Sequence, residues 1–263
     1  MVQVLTNEDI FKLAPSAFAV EGYNVHEKFN VFPTIELINT LRKEGFQPIK
    51  AGQRKSKDPE KHATTRHVIR FRHQNNIEAE TKEEIPEIVL VNANDRTSAY
   101  KLFSGIFRVV CTNGLVVQSE EIHNISIPHR GKLNVIDNVI TASYEVLNVS
   151  DTVFGKIDEM KQIPLTFGQQ ETLAGNILEE LGKTTTDATK YLEARRSEDK
   201  GSFNERDAWK TFNVIQENII RGGVSGVTPN GRKRTTHGVK NIVSDLEINR
   251  KIWKATENFL IAA

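Results

Sequence analysis

The feature that most limits how this chain can fold is a change of hydrophobic period partway along it. From His67 the pattern takes a period of two, in His67-Val68-Ile69-Arg70-Phe71-Arg72, Ile85 to Asn92 and Tyr100 to Val110. That period puts successive side chains on opposite faces of a strand. After about residue 141 the spacing turns helical, with Ala142, Val146, Val149, Val153, Ile157 and Met160 recurring at threes and fours. Strands in one block and helices in another specify an α+β fold.

Local signals fill in the elements. Thr6 to Asp9 offers cap-type residues ahead of Ile10 and Leu13, which predicts a short first helix closed by Pro15. Ile35, Leu37, Ile38 and Leu41 predict an amphipathic helix of about three turns between Pro33 and Gly45. Phe46 to Ala51 reads as a strand, and Gly105 as a bulge within the Tyr100 strand. Asn113-Gly114 predicts a tight turn into Leu115-Val116-Val117, and Ile122 to Pro128 and Val135 to Ile140 read as further strands. Thr166 to Gln169 reads as a capping box opening a helix that Gly182 ends, and helices are expected over Asp207–Ile220 and Glu247–Leu260. No Pro/Gly linker marks the joint, so one α+β domain over 1–263 is expected. It has an antiparallel β-sheet and N-terminal helices in a β-rich half (about 1–140) and a helical C-terminal half (about 141–263).

Composition narrows the functional classes. Net charge is +1 with 26% charged residues, so any face for a polyanion has to come from local segregation of charge. Cys111 is the single cysteine, which excludes an intramolecular disulfide and fits a reducing cytoplasm. The first residues include Glu8 and Asp9 with no apolar core of a leader, and no run approaches the ~20 apolar residues of a membrane helix. A cytoplasmic protein without a membrane partner is expected.

Charge is strongly segregated. Arg42 to Arg72 holds ten basic residues against three acidic ones, a local +7, and His73 to Asp95 holds six acids against Lys82, a local −5. Arg221 to Lys240 holds five basic residues and no acid. Cations along a phosphate track release counterions and give salt-sensitive, sequence-independent affinity. The candidate nucleic-acid contacts are therefore Arg54, Lys55, Lys57, Lys61, Arg66, Arg70 and Arg72 in one segment. The other segment offers Arg221, Arg232, Lys233, Arg234 and Lys240. Arg70 and Arg72 share a strand face and would follow one backbone together, with His67 and Tyr100 as stacking surfaces if exposed. The alternative is solvated charge, or pairing of the 78–87 acids with the 54–72 bases across a hairpin. Gly222-Gly223 reads as a left-handed helix end whose loop lets phosphates approach closely.

Catalytic patterns are sparse. No GxxxxGK[ST], no dinucleotide fingerprint and no HExxH occurs, so no cofactor and no metal is expected. His123 and His129, six apart, read as hydrogen-bonded or surface residues, and Cys111 as a buried small hydrophobe. Asn92, Asn94 and Asp95 read as a turn held by side-chain bonds, with a nucleotide-processing role as the chemical alternative. Gln216, Glu217 and Asn218 sit in an otherwise apolar helix and require partners, and Trp209 and Trp253 read as core. No nucleophile, base and orienter come together in the sequence, so a non-enzymatic protein is expected.

Two stretches resemble a known family. Asn92 to Tyr100, running into Gly105 to Leu115, resembles the "NSHDGTSAY…GIFRLVCSNGL" signature of the phage/plasmid-like domain of unknown function 932. Gln216-Glu217-Asn218 with Gly222-Gly223 matches its second signature, and Ala14 to Ala19, Pro33-Thr34, Asn249 and Trp253 also agree. The matching motif residues include Asn92, Asp95, Arg108, Asn113 and Gly114. This chain departs at Ala93-Asn94, where the family often has Ser-His, and at Arg96, where Gly is usual. The resemblance implies a mobile-element origin and no established activity. The expectation is a nucleic-acid-binding protein, single-stranded DNA favoured, acting in recombination or annealing. An architectural analogy with ring-forming annealing proteins adds a homo-oligomer. The alternative is a non-enzymatic protein that modulates a host defence factor.

Overall fold

A computed structural model of the chain describes residues 2–77, 84–108, 114–117, 125–129, 134–183, 187–196, 206–227 and 231–262. They form two compact units, Met1–Ser150 with Asn241–Val243, and Asp151–Lys240 with Ser244–Ala263. The fold is α+β, with an antiparallel sheet, N-terminal helices and C-terminal helices.

The first unit opens with α1 (Asn7–Leu13), where Thr6 and Asp9 close a reciprocal capping box. Its helix α2 (Thr34–Lys43) buries Leu37, Ile38 and Leu41 and hands the chain through Gly45, at φ +86°, into β1 (Phe46–Gln53). A short turn of helix, α3 (Pro59–His62), is capped by Asp58. The strands β2 (His67–His73), β3 (Glu84–Asn92), β4 (Tyr100–Arg108) and β5 (Gly114–Val117) follow β1 in sheet order, and β6 (Ile125–Ile127) pairs beside Tyr100 to Leu102 on β4. Every pairing is antiparallel. The tight turn expected at Asn113 and the site of Cys111 lie outside the described residues.

One face of this sheet carries Ile69, Phe71, Ile88, Leu90, Tyr100 and Leu102 and packs with Ile10, Ala17, Leu37, Ile38 and Leu41. The same core takes Val135, Val139, Ala142 and Val146 from α4 (Val135–Gln162). The segment Val135 to Ile140 is therefore helix, which corrects its reading as a strand. Its β-branched residues favour a strand locally, but burial at Val135, Val139 and Ala142 follows the helical repeat, and packing decides. Gly105 is likewise no bulge: it pairs in unbroken register with Glu87, and the register shift lies instead at Pro48/Lys50 on the edge strand β1.

The second unit is built from the remainder of α4, then α5 (Phe167–Glu180), α6 (Ala208–Arg221) and α7 (Ile242–Ala262) from Ser244 onward. Thr166 and Gln169 form the expected capping box, and Gly182 at φ +63° ends α5. Trp209 stacks on Phe212 with ring centroids 5.3 Å apart, and Phe212 meets Trp253 edge-on at 5.8 Å. A small two-stranded ribbon, β7 (Ser225–Val227) with β8 (Lys233–Thr235), follows α6. Among the described residues no helix is long and apolar enough to cross a membrane.

Candidate nucleic-acid interface

The first basic segment divides by burial. Arg54, Lys55, Lys57 and Lys61 are exposed around α3, while Arg66 is half-buried and donates to the Thr97 carbonyl at 2.8 Å. Arg70 and Arg72 do share a strand face, as their spacing requires, but that face is internal. Arg70 is 4% exposed and Arg72 2%, and both clasp Glu87, itself fully buried. Arg70 Nε donates to Glu87 Oε2 at 2.7 Å and Arg72 donates to Oε1 at 2.7 Å. The expectation that these two arginines follow a phosphate backbone is therefore corrected. Bringing a guanidinium indoors requires a carboxylate partner, and Glu87 supplies one from the adjacent strand. Gly105, opposite Glu87, leaves room there: a Cβ would lie 3.5 Å from Glu87 Cβ and 3.1 Å from Val89 Cγ2. The alternative pairing of 78–87 acids with 54–72 bases holds for Glu87; Glu78, Glu80 and Glu83 lie outside the described residues.

His67 and Tyr100 are also fully buried, so neither offers a stacking surface. They belong to a polar chain through the core of the first unit. Ser16 Oγ lies 2.9 Å from His67 Nδ1, and His67 Nε2 lies 2.9 Å from Thr34 Oγ1. Asn92 donates to Thr34 Oγ1 at 3.1 Å, and its Oδ1 is 2.8 Å from His129 Nε2. The His129 ring stacks on Phe29 at 4.4 Å and faces Tyr100 at 4.5 Å. Burial drives His67 down to about pH 4 and His129 in the same direction. A Ser–His pair at this distance has the form of a nucleophile and base, yet Ser16, His67 and Thr34 have no solvent exposure. The chain of bonds fixes the strand ends to the N-terminal helices. Sequence reasoning placed Ser16, Thr34 and Asn92 in motifs without seeing that His67 and His129 join them.

Asp95 holds a turn by accepting from the Thr97 amide at 3.1 Å, as its spacing suggests. Arg96 has φ +66°, a backbone conformation that favours glycine. Arg108 ends β4 and its backbone pairs with Glu84, and Gly114 pairs with Phe107. Asn113 and His123 lie outside the described residues. Among the described residues no group of three or more His, Cys, Asp or Glu is placed to hold a metal ion.

The buried polar residues of α6 fix the end of that helix from within. Gln216 donates to Asn249 on α7, and Asn218 donates to the carbonyls of Tyr191 and Glu193, each at 2.9 Å. Glu217, 3% exposed, pairs with Arg196 and with Arg221, both at 3.0 Å. Arg221 is thereby partly engaged at the helix end. Arg195 donates to Asn218 Oδ1 at 2.6 Å and to the Gly222 carbonyl. Gly222 (φ +66°, ψ −155°) and Gly223 (φ +77°) then turn the chain out of α6. The close approach that Gly222 permits is to the protein's own backbone: a Cβ there would sit 2.4 Å from both Gly238 N and His237 C.

Above this crossing stands the ribbon. Gly223 donates to Thr236 O at 2.7 Å, Thr236 to Val224 O at 3.0 Å, and Val239 to Ile220 O at 2.8 Å, satisfying a carbonyl at the end of α6. Arg232, Lys233, Arg234 and Lys240 are all exposed, and among the described residues no carboxylate pairs with Lys233 or Arg234.

A family model described as "Domain of unknown function (DUF932)" matches residues 23–253. "UPF0380 protein YafZ" and "UPF0380 protein YfjQ" of Escherichia coli (strain K12) are each 36% identical over 260 residues, 97% of this chain and 92% of theirs. No solved structure matches.

Proposed function

Since the chain belongs to the DUF932 family, we propose that it binds nucleic acid by phosphate contact, through the exposed basic ribbon at the end of α6. The observation that supports this most is the mounting of that ribbon. Gln216, Glu217, Asn218, Gly222 and Gly223 are family-signature residues, and their bonds hold α6 and its exit in place. The segment beyond them carries four basic residues, Arg232, Lys233, Arg234 and Lys240, and no acid. A backbone held in place leaves less entropy to lose when its cations meet phosphates, and their counterions are released. Arg54, Lys55, Lys57 and Lys61 form a separate exposed basic loop in the first unit.

The setting in this reading is a phage, prophage or plasmid within a bacterial cytoplasm, with a recombination role and self-assembly as its annealing version. The test is a salt titration of DNA binding by the full chain. Reversing Arg232, Lys233 and Arg234 to Glu is expected to remove a salt-sensitive shift while the melting curve stays in place. Absence of any shift by the parent protein at low salt sinks the reading.

A host-protein partner has one observation of its own, the exposure of Phe11 (55%), Leu13 (48%) and Val20 (73%) in the first unit. Exposed apolar side chains of this size are available for contact with a protein partner. Under this reading Phe11→Asp with Val20→Asp abolishes co-purification of a host factor that survives nuclease treatment.

A further inference from the structure

We propose that the duplex, and not the single strand, is the form of DNA this ribbon takes, with both ribbon faces engaged; this rests on the nucleic-acid reading above. The register pairs Ser225 with Thr235, Gly226 with Arg234 and Val227 with Lys233. Side chains alternate across a strand, so Lys233 and Thr235 share one face with Val227 and Ser225. Ser225 Oγ lies 3.3 Å from Thr235 Oγ1 there, a pair of hydroxyls beside an ammonium. Arg234 belongs to the opposite face, where its cross-strand partner is Gly226, which has no side chain. Cations thus leave the ribbon in two opposed directions.

A single strand presents one chain of phosphates, and proteins that hold it add aromatic platforms for the unstacked bases. Between Gly222 and Lys240 there is no Phe, Tyr or Trp. His67 and Tyr100, the aromatic candidates beside the other basic segment, are buried. A duplex presents two phosphate chains on either side of a major groove about 12 Å wide, which admits a two-stranded ribbon with strands about 4.8 Å apart. Opposed cations and the absence of Phe, Tyr and Trp from this segment both match that ligand. Ser225 and Thr235 supply hydroxyls that donate to sugar and phosphate oxygens without reading sequence.

The experiment measures fluorescence anisotropy of the full chain with a fluorescein-labelled duplex of about 20 base pairs, and with each of its strands alone, over graded potassium chloride. The duplex is expected to bind about tenfold or more tighter than either strand, because it offers a second row of phosphates. Lys233→Ala and Arg234→Ala are each expected to weaken duplex binding and to reduce the salt slope by about one. Lys233→Arg and Arg234→Lys, which keep the charge, retain that slope. Single strands bound as tightly as the duplex overturn the duplex assignment and leave the nucleic-acid reading standing. A slope that responds at one of the two positions only overturns the engagement of both faces. Failure to bind either form at low salt overturns both readings.

Discussion

Arg70 and Arg72 mark where reasoning from residue type stops. Their two-residue spacing fixes a shared strand face, and that much is legible in the sequence. Which face is covered is not, because β2 is buried along both sides and so carries no solvent-side code. Glu87 decides the matter from the neighbouring strand, fifteen and seventeen residues on. Glu87→Gln removes the buried carboxylate charge that both guanidiniums share, and a loss of about 3–5 kcal/mol is expected in urea denaturation. His67 gives a second residue-scale prediction. Its folded-state value, about 4, lies below its ordinary 6.5 because burial disfavours the imidazolium. Between those values the unfolded chain holds a proton that the folded chain does not. Stability is therefore complete above about pH 6.5 and falls as pH drops towards 4, by about 1.4 kcal/mol per pH unit at most for this group. His129 is displaced in the same direction and adds to the fall. His67→Gln lowers stability at pH 7 but flattens its decline between pH 6.5 and 5, as denaturation series at each pH will record.

At the scale of elements the sequence is most readable where a local chemical device ends or starts a helix. Both capping boxes and the glycines at 45, 182 and 222 stand where the side chains announce them. Val135 to Ile140 misleads because four β-branched residues in six state a preference that tertiary packing overrules. The ribbon is hidden for a different reason: three-residue strands are too short to show a period. Its support turns on Gly222, where any side chain would enter the backbone of residues 237 and 238. Gly222→Ala is expected to cost about 1–3 kcal/mol, with faster amide exchange at Gly223 and Val239, whose bonds tie the ribbon's base. Gly175 is the contrast. It lies inside α5 with open space around it, so Gly175→Ala is expected to stabilise by about 0.5–1 kcal/mol in a thermal melt.

Over the whole molecule, charge is the quantity that composition conceals. A net charge of +1 supplies almost no long-range attraction to a polyanion. Segregation along the sequence shows that strong local fields are available, but a run of cations in the sequence does not say which of them reach solvent. Of the two basic segments, the first has turned Arg70 and Arg72 inward, and the second keeps Arg232, Lys233, Arg234 and Lys240 outside. Binding governed by net charge would depend weakly on salt, whereas binding governed by the ribbon depends on the number of phosphates its cations meet. With four such cations the plot of log affinity against log salt for duplex DNA is expected to fall with a slope of roughly −3 to −4. Neutralising Arg54, Lys55 and Lys57 leaves that slope in place if the ribbon alone carries the contact, and lowers it by one for each that shares it. A slope near −1 in the parent protein would mean that the local cations do not act together, and the ribbon would then be a structural hairpin with an unused charge.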